Sequence, residues 1–241
     1  SMDGRLRIAR LRNLGRGIFF WVSLATLWPV LHANLGAMEP RSWLVELKVG
    51  RFEIHSDFDL KDQQTLFPEL TSLATDVAEL LQVDDSQQPV HIVLFQSGSE
   101  YRRYMDNYFP NLPQRRAMFI QDPGPGMLFA HLHPDMTTDI RHEITHALLN
   151  DGTDPLPLWL DEGLAEYFEV AGPRRFVGND YLTSVIARSQ KGIVPALEHL
   201  ESIDDLRQFG DEHYRDSWSW VHYFMHRSAE TRELLVRYLR E

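Results

Sequence analysis

The stretch "RHEITHALLN" (141–150) holds two histidines four apart, His142 and His146, with Glu143 directly after the first. On a helix, residues four apart lie one above the other, so both imidazoles can reach a single metal ion. At about 3.6 residues per turn, Glu143 is rotated about 100° from His142. It then stands beside the ion and not on it, where a general base for an activated water belongs. Two ligands leave such a site incomplete, since catalytic zinc takes three protein ligands and an open position. The chain has no cysteine, so the third ligand must be His, Asp or Glu. The segment "LPLWLDEGLAEYFEVAG" (156–172) supplies Glu162 and Glu166, four apart on one helical face. Glu162 is expected as the third ligand. Glu166 is expected to accept the second ring N–H of His142 and fix its tautomer, with Glu169 as a competitor farther along.

Other residues of similar type carry less. His131 and His133 alternate along an expected strand and point to one side, with too few companions for a second metal site. His222 and His226 repeat the four-residue spacing, but no glutamate follows the first and aromatic residues crowd them, so core packing is expected. "EITH" also reads as the Glu-x-x-His of di-iron helical bundles, which need a second copy that this chain lacks. The pairs Arg102-Arg103, Arg115-Arg116 and Arg174-Arg175 read as solvated turns and helix ends.

The elements that position these groups follow from periodicity. Residues 43–58 read as a hairpin around Gly50, 61–82 as an amphipathic helix, 89–97 as a buried strand and 99–108 as a helix. "RAMFIQD" and "MLFAHLH" read as two strands joined at "PGPG" (123–126), and an extended substrate is expected along an edge near 127–133. From Asp135 onward the signals are helical. Thr137, Thr138 or Asp139 should cap the histidine helix, and Asn150-Asp151-Gly152 should end it. The layout is α+β: an α/β part over about 41–134 and a helical part over about 135–241, forming one domain across 41–241.

H-E-I-T-H followed by W-L-D-E-G-L-A-E-Y-F resembles the gluzincin metallopeptidases, above all their short peptidase-MA-like domains, over about residues 139–170. The resemblance implies a zincin-like fold and one zinc ion on His142, His146 and Glu162, with Glu143 as base. It also implies an oxyanion donor on a later helix, for which Tyr214 is favoured over its neighbour His213. Two departures stand out. The 15 residues between His146 and Glu162 make a shorter link than in the large aminopeptidases. "GPGMLFAHL" (124–132) also lacks the glutamate with which those enzymes hold a free amine, so an endopeptidase is expected. The alternative is a catalytically silent, metal-bearing binding or scaffold module of the cell envelope.

Residues 1–40 read as an export signal or an N-terminal membrane anchor. Five arginines precede a 14-residue apolar run, Ile18–Leu31, which is short for a spanning helix but could hold the chain at a membrane if retained. The expected location is therefore periplasmic or secreted, or membrane-anchored where the leader is retained. The net charge is −11, and five of the 24 basic residues lie in that leader, so the body is more acidic still. An acidic body speaks against nucleic acid as a partner and leaves a peptide or protein substrate.

Overall fold

The computed structural model describes residues 43–83, 88–121, 125–150 and 155–240. The expected leader over 1–40 with its apolar run, the first half of "PGPG" and the Asp151-Gly152 helix end lie outside the described residues. The described residues form a mixed α+β structure: a five-stranded sheet and eight α-helices.

The chain opens with a hairpin, β1 (Val45–Val49) and β2 (Phe52–Ser56), turning at Gly50, whose φ of +58° lies in the left-handed region that favours glycine. Helix α1 (Leu66–Leu81) buries Leu66, Leu70, Leu73, Val77 and Leu81 at three- and four-residue spacing. Each such side chain contributes about 1.5–3 kcal/mol of burial. The helix crosses to β3 (Val90–Phe95), which runs parallel to β2. Helix α2 (Gly98–Tyr108) then leads to β4 (Ala117–Ile120) and β5 (Gly126–His131), which pair antiparallel. The order across the sheet is β1-β2-β3-β5-β4, with β3 and β5 parallel. Strand residues alternate between two cores. Ile54, Ile92, Leu94, Leu128 and Ala130 join α1 and the later helices, whereas Val93, Phe95 and Phe129 join Tyr101 and Met105 of α2 on the other face.

That order corrects one expectation. The stretch 127–133 is no edge, because β5 has β3 on one side and β4 on the other. The edge strand on that side of the sheet is β4. Pattern and turn residues give the hairpin, but which partner ends up outermost is a long-range outcome.

The helical part begins with α3 (Met136–Leu149), followed by α4 (Leu158–Phe168), α5 (Tyr181–Ser189), α6 (Leu197–Glu201), α7 (Asp211–His226) and α8 (Ala229–Arg240). Asp135, not the expected trio, precedes α3, and its carboxylate takes Arg116 at 3.0 Å instead of capping the helix. Thr137, Thr138 and Asp139 fall within the first turn. None of the helices among the described residues is long and apolar enough to cross a membrane.

Candidate metal centre

Helices α3 and α4 lie antiparallel, as their cross-links show. Asn150 at the end of α3 donates to Asp161 at the start of α4 (3.1 Å), while Arg141 near the start of α3 reaches the end of α4. Arg141 is 3% exposed and donates to the carbonyls of Phe168 (2.8 Å), Glu169 (2.9 Å) and Val170 (3.3 Å), and to the Glu69 carboxylate of α1 (2.7 Å). A cation on the last carbonyls of a helix meets the negative end of its dipole, so Arg141 caps α4 where it ends at Phe168. At the other contact of α4, a Cβ on Gly163 would sit 2.9 Å from the carbonyl carbon and oxygen of Ser217 in α7. Only glycine permits that approach, directly beside Glu162.

This frame brings His142, His146 and Glu162 together, with one ligand atom of each within 4.8 Å of the others. Glu162 Oε2 lies 3.4 Å from His142 Nε2 and 3.7 Å from His146 Nε2. Glu162 is 4% exposed, and its Oε2 is buried without a hydrogen-bond partner. The far nitrogen of each imidazole faces a second carboxylate: His142 Nδ1 hydrogen-bonds Glu169 at 3.3 Å, and His146 Nδ1 lies 3.1 Å from Asp161. Both rings thus turn Nε2 toward Glu162, an arrangement of two nitrogens and one oxygen that could hold a metal ion.

The partner of His142 is a correction to the sequence expectation. Glu169, not Glu166, reaches Nδ1, because the antiparallel overlap sets the start of α3 against the last turn of α4. Glu166 stands behind, its carboxylate close to both His142 and Glu169. Burial and the like charge of Glu169 push Glu166 up to about 8, so this pair of carboxylates carries a proton near neutral pH. Asp161 is a partner that the sequence expectation does not include. Its signal is adjacency: an acid next to Glu162 in the first turn of the same helix.

The cluster is strongly polarised. Burial alone would depress both histidines, yet Glu162 and Glu169 hold His142 well above its ordinary value, and Asp161 and Glu162 raise His146 to about 9. Burial would raise Glu162, but the two imidazoles, helped by Arg115, lower it to about 2. The same carboxylates that stabilise imidazolium protons would stabilise a cation in their place.

Glu143 is 8% exposed and accepts the Phe119 N–H of β4 at 2.8 Å, so it stands between the cluster and the edge strand. Tyr214, in the first turn of α7, sets its ring edge-on to Phe209 at 4.9 Å and accepts a hydrogen bond from Arg115 at 3.1 Å. Burial first, and then the charge of Glu162, raise its phenol. His213 turns back instead, its Nδ1 accepting the Gly210 N–H at 2.9 Å.

Two arginine pairs depart from the solvated reading. Arg175 is 4% exposed, bound to Asp76 at 2.7 Å and stacked over Phe168 at 4.8 Å. Arg115 is half-buried beside Tyr214. Arg102 and Arg103 are exposed as expected. His133 is tied to α3 by Asp139 at 3.2 Å, with the His131 ring tilted beside it at 4.9 Å. Neither a protein-family model nor a curated protein matches the chain.

Proposed function

We propose that this chain is a zinc-dependent peptidase of gluzincin type on a zincin-like fold, cutting within polypeptides. The observation that carries the proposal is the convergence of His142 Nε2, His146 Nε2 and Glu162 on one point, with Asp161 and Glu169 behind the two rings. Glu162 Oε2, buried and lacking a hydrogen-bond partner, suits a metal ligand. Two imidazoles and one carboxylate are the donor set that zinc accepts while keeping an open position.

Zinc bound there would polarise the scissile carbonyl and acidify the attacking water. Glu143 would take the water's proton and deliver it to the leaving amine, and the Phe119 N–H keeps its carboxylate aimed. The Tyr214 hydroxyl would donate to the oxyanion that develops on the former carbonyl oxygen. An extended substrate would run along β4, the edge strand beside Glu143. Export rests on the basic, apolar leader over 1–40 and the acidic body that follows it.

The test is Glu143→Gln with zinc analysis and hydrolysis of an unfolded protein pool. The variant should bind one zinc as the parent does and lose about 10²–10⁴-fold in rate, the usual worth of a general base. Hydrolysis at the parental rate would overturn the mechanism. Equimolar zinc with no turnover by the parent chain would favour the silent binding module.

A further inference from the structure

We infer that Arg115 is a positioning residue that aims the Tyr214 hydroxyl proton into the metal centre; the inference rests on the peptidase reading above. The two arginines before β4 part company. Arg116 is taken at the surface by Asp135 at 3.0 Å and Asp139 at 2.7 Å, while Arg115 turns inward to Tyr214. A guanidinium carries only donors, so in the 3.1 Å contact the phenol oxygen must accept. The hydroxyl's own proton is therefore released from that contact and free to point elsewhere. Among the described residues no carboxylate lies within 4 Å of Arg115, so no ion pair competes for it; its charge is favoured instead by Tyr214, Glu162 and Glu143. A cation fixed on the oxygen of a phenol makes that phenol a stronger donor, and the helix that carries Tyr214 packs through its Ser217 carbonyl on Gly163, the neighbour of Glu162.

No covalent step is involved. Arg115 keeps its protons, and Tyr214 lends a hydrogen bond to the oxyanion without transferring its own.

The experiment combines Arg115→Ala, Arg115→Lys, Tyr214→Phe and the Arg115→Ala/Tyr214→Phe double variant, each checked for zinc content and thermal melting. Arg115→Ala should lower kcat by roughly 10- to 100-fold, the worth of one charge-assisted hydrogen bond, with KM little changed. Arg115→Lys should restore part of that loss. In the Tyr214→Phe background, removing Arg115 should cost nothing more, since its effect passes through the phenol. An additive loss in the double variant, or a loss confined to KM, overturns the inference.

A second readout needs neither turnover nor metal. In metal-free protein carrying ¹³Cζ-tyrosine, the Tyr214 resonance, identified by its absence in Tyr214→Phe, should titrate at higher pH once Arg115 is alanine. An unmoved titration overturns the inference whatever the kinetics show. Failure of the peptidase reading is seen separately, as a parent chain and a Glu143→Gln variant that are equally inert.

Discussion

His142 and His146 on α3, and His222 and His226 on α7, are both pairs four residues apart, with ring centres 5.0 Å and 4.7 Å from each other. Their surroundings differ. Each ring of the first pair has a carboxylate on Nδ1 and shares Glu162 through Nε2. In the second pair, His222 Nε2 meets the Phe176 carbonyl and His226 Nε2 meets the Tyr167 hydroxyl, both at 3.0 Å. No carboxylate oxygen among the described residues lies within 4 Å of a ring nitrogen of either histidine. The electrostatic outcome follows: His146 is raised to about 9, whereas burial and the neighbouring His222 lower His226 to about 4. Spacing places two imidazoles together. What a facing helix brings decides whether they welcome a cation or repel one.

That contrast can be broken from its strong side first. Glu162→Gln removes the one carboxylate shared by both rings. Its zinc affinity, measured by competition with a chelating dye, should fall well beyond the roughly 10- to 100-fold expected for losing a supporting partner. Asp161→Asn and Glu169→Gln should each fall within that roughly 10- to 100-fold range, and Glu166→Gln should cost less than either. Equal losses from Glu166→Gln and Glu169→Gln would mean that His142 chooses its partner differently once metal is bound.

The two pairs should also tilt stability in opposite directions with pH. In chelator-treated protein, His146 lies above its ordinary 6.5, so its protonated form favours the fold. That contribution is complete below the unfolded value and is lost as pH rises through about 9. His226 lies below 6.5, so its neutral form favours the fold, and the contribution fades as pH falls toward about 4. Urea midpoints across pH should show the alkaline loss flattened by His146→Gln and the acid loss flattened by His226→Gln. The smallest effect belongs to the second pair's hydrogen bonds. His222→Gln should leave zinc stoichiometry unchanged and cost about 1 kcal/mol or less in denaturant titration.

What was legible in the sequence had local causes. The hairpin at Gly50, the α1 stripe and the histidine face each depend on neighbours within a turn or two. The place of Glu162 beside the two histidines was legible because "WLDEGLAEYF" carries its own helical face. The supporting partners were not, because they depend on how far α3 and α4 overlap, and Arg141 sets that overlap by gripping the end of α4. Strand order failed for the same reason: nothing within 117–131 says that β4 closes the sheet. Arg115 and Arg175 read as solvent-facing because charge is a composition signal, and burial of a charge becomes visible only with its partners.

Gly163 acts as a spacer gauge. With no side chain there, the contact between α4 and Ser217 sets how closely α7 is held, and Tyr214 rides on α7 three residues earlier. The side chains at 142, 146 and 162 could be exchanged at constant helix separation while the architecture stays put. Any side chain at 163 would instead lever α7 outward and carry the phenol with it. A metal centre redesigned on this frame would therefore find its tightest restriction at a position that contributes no atom to the ion.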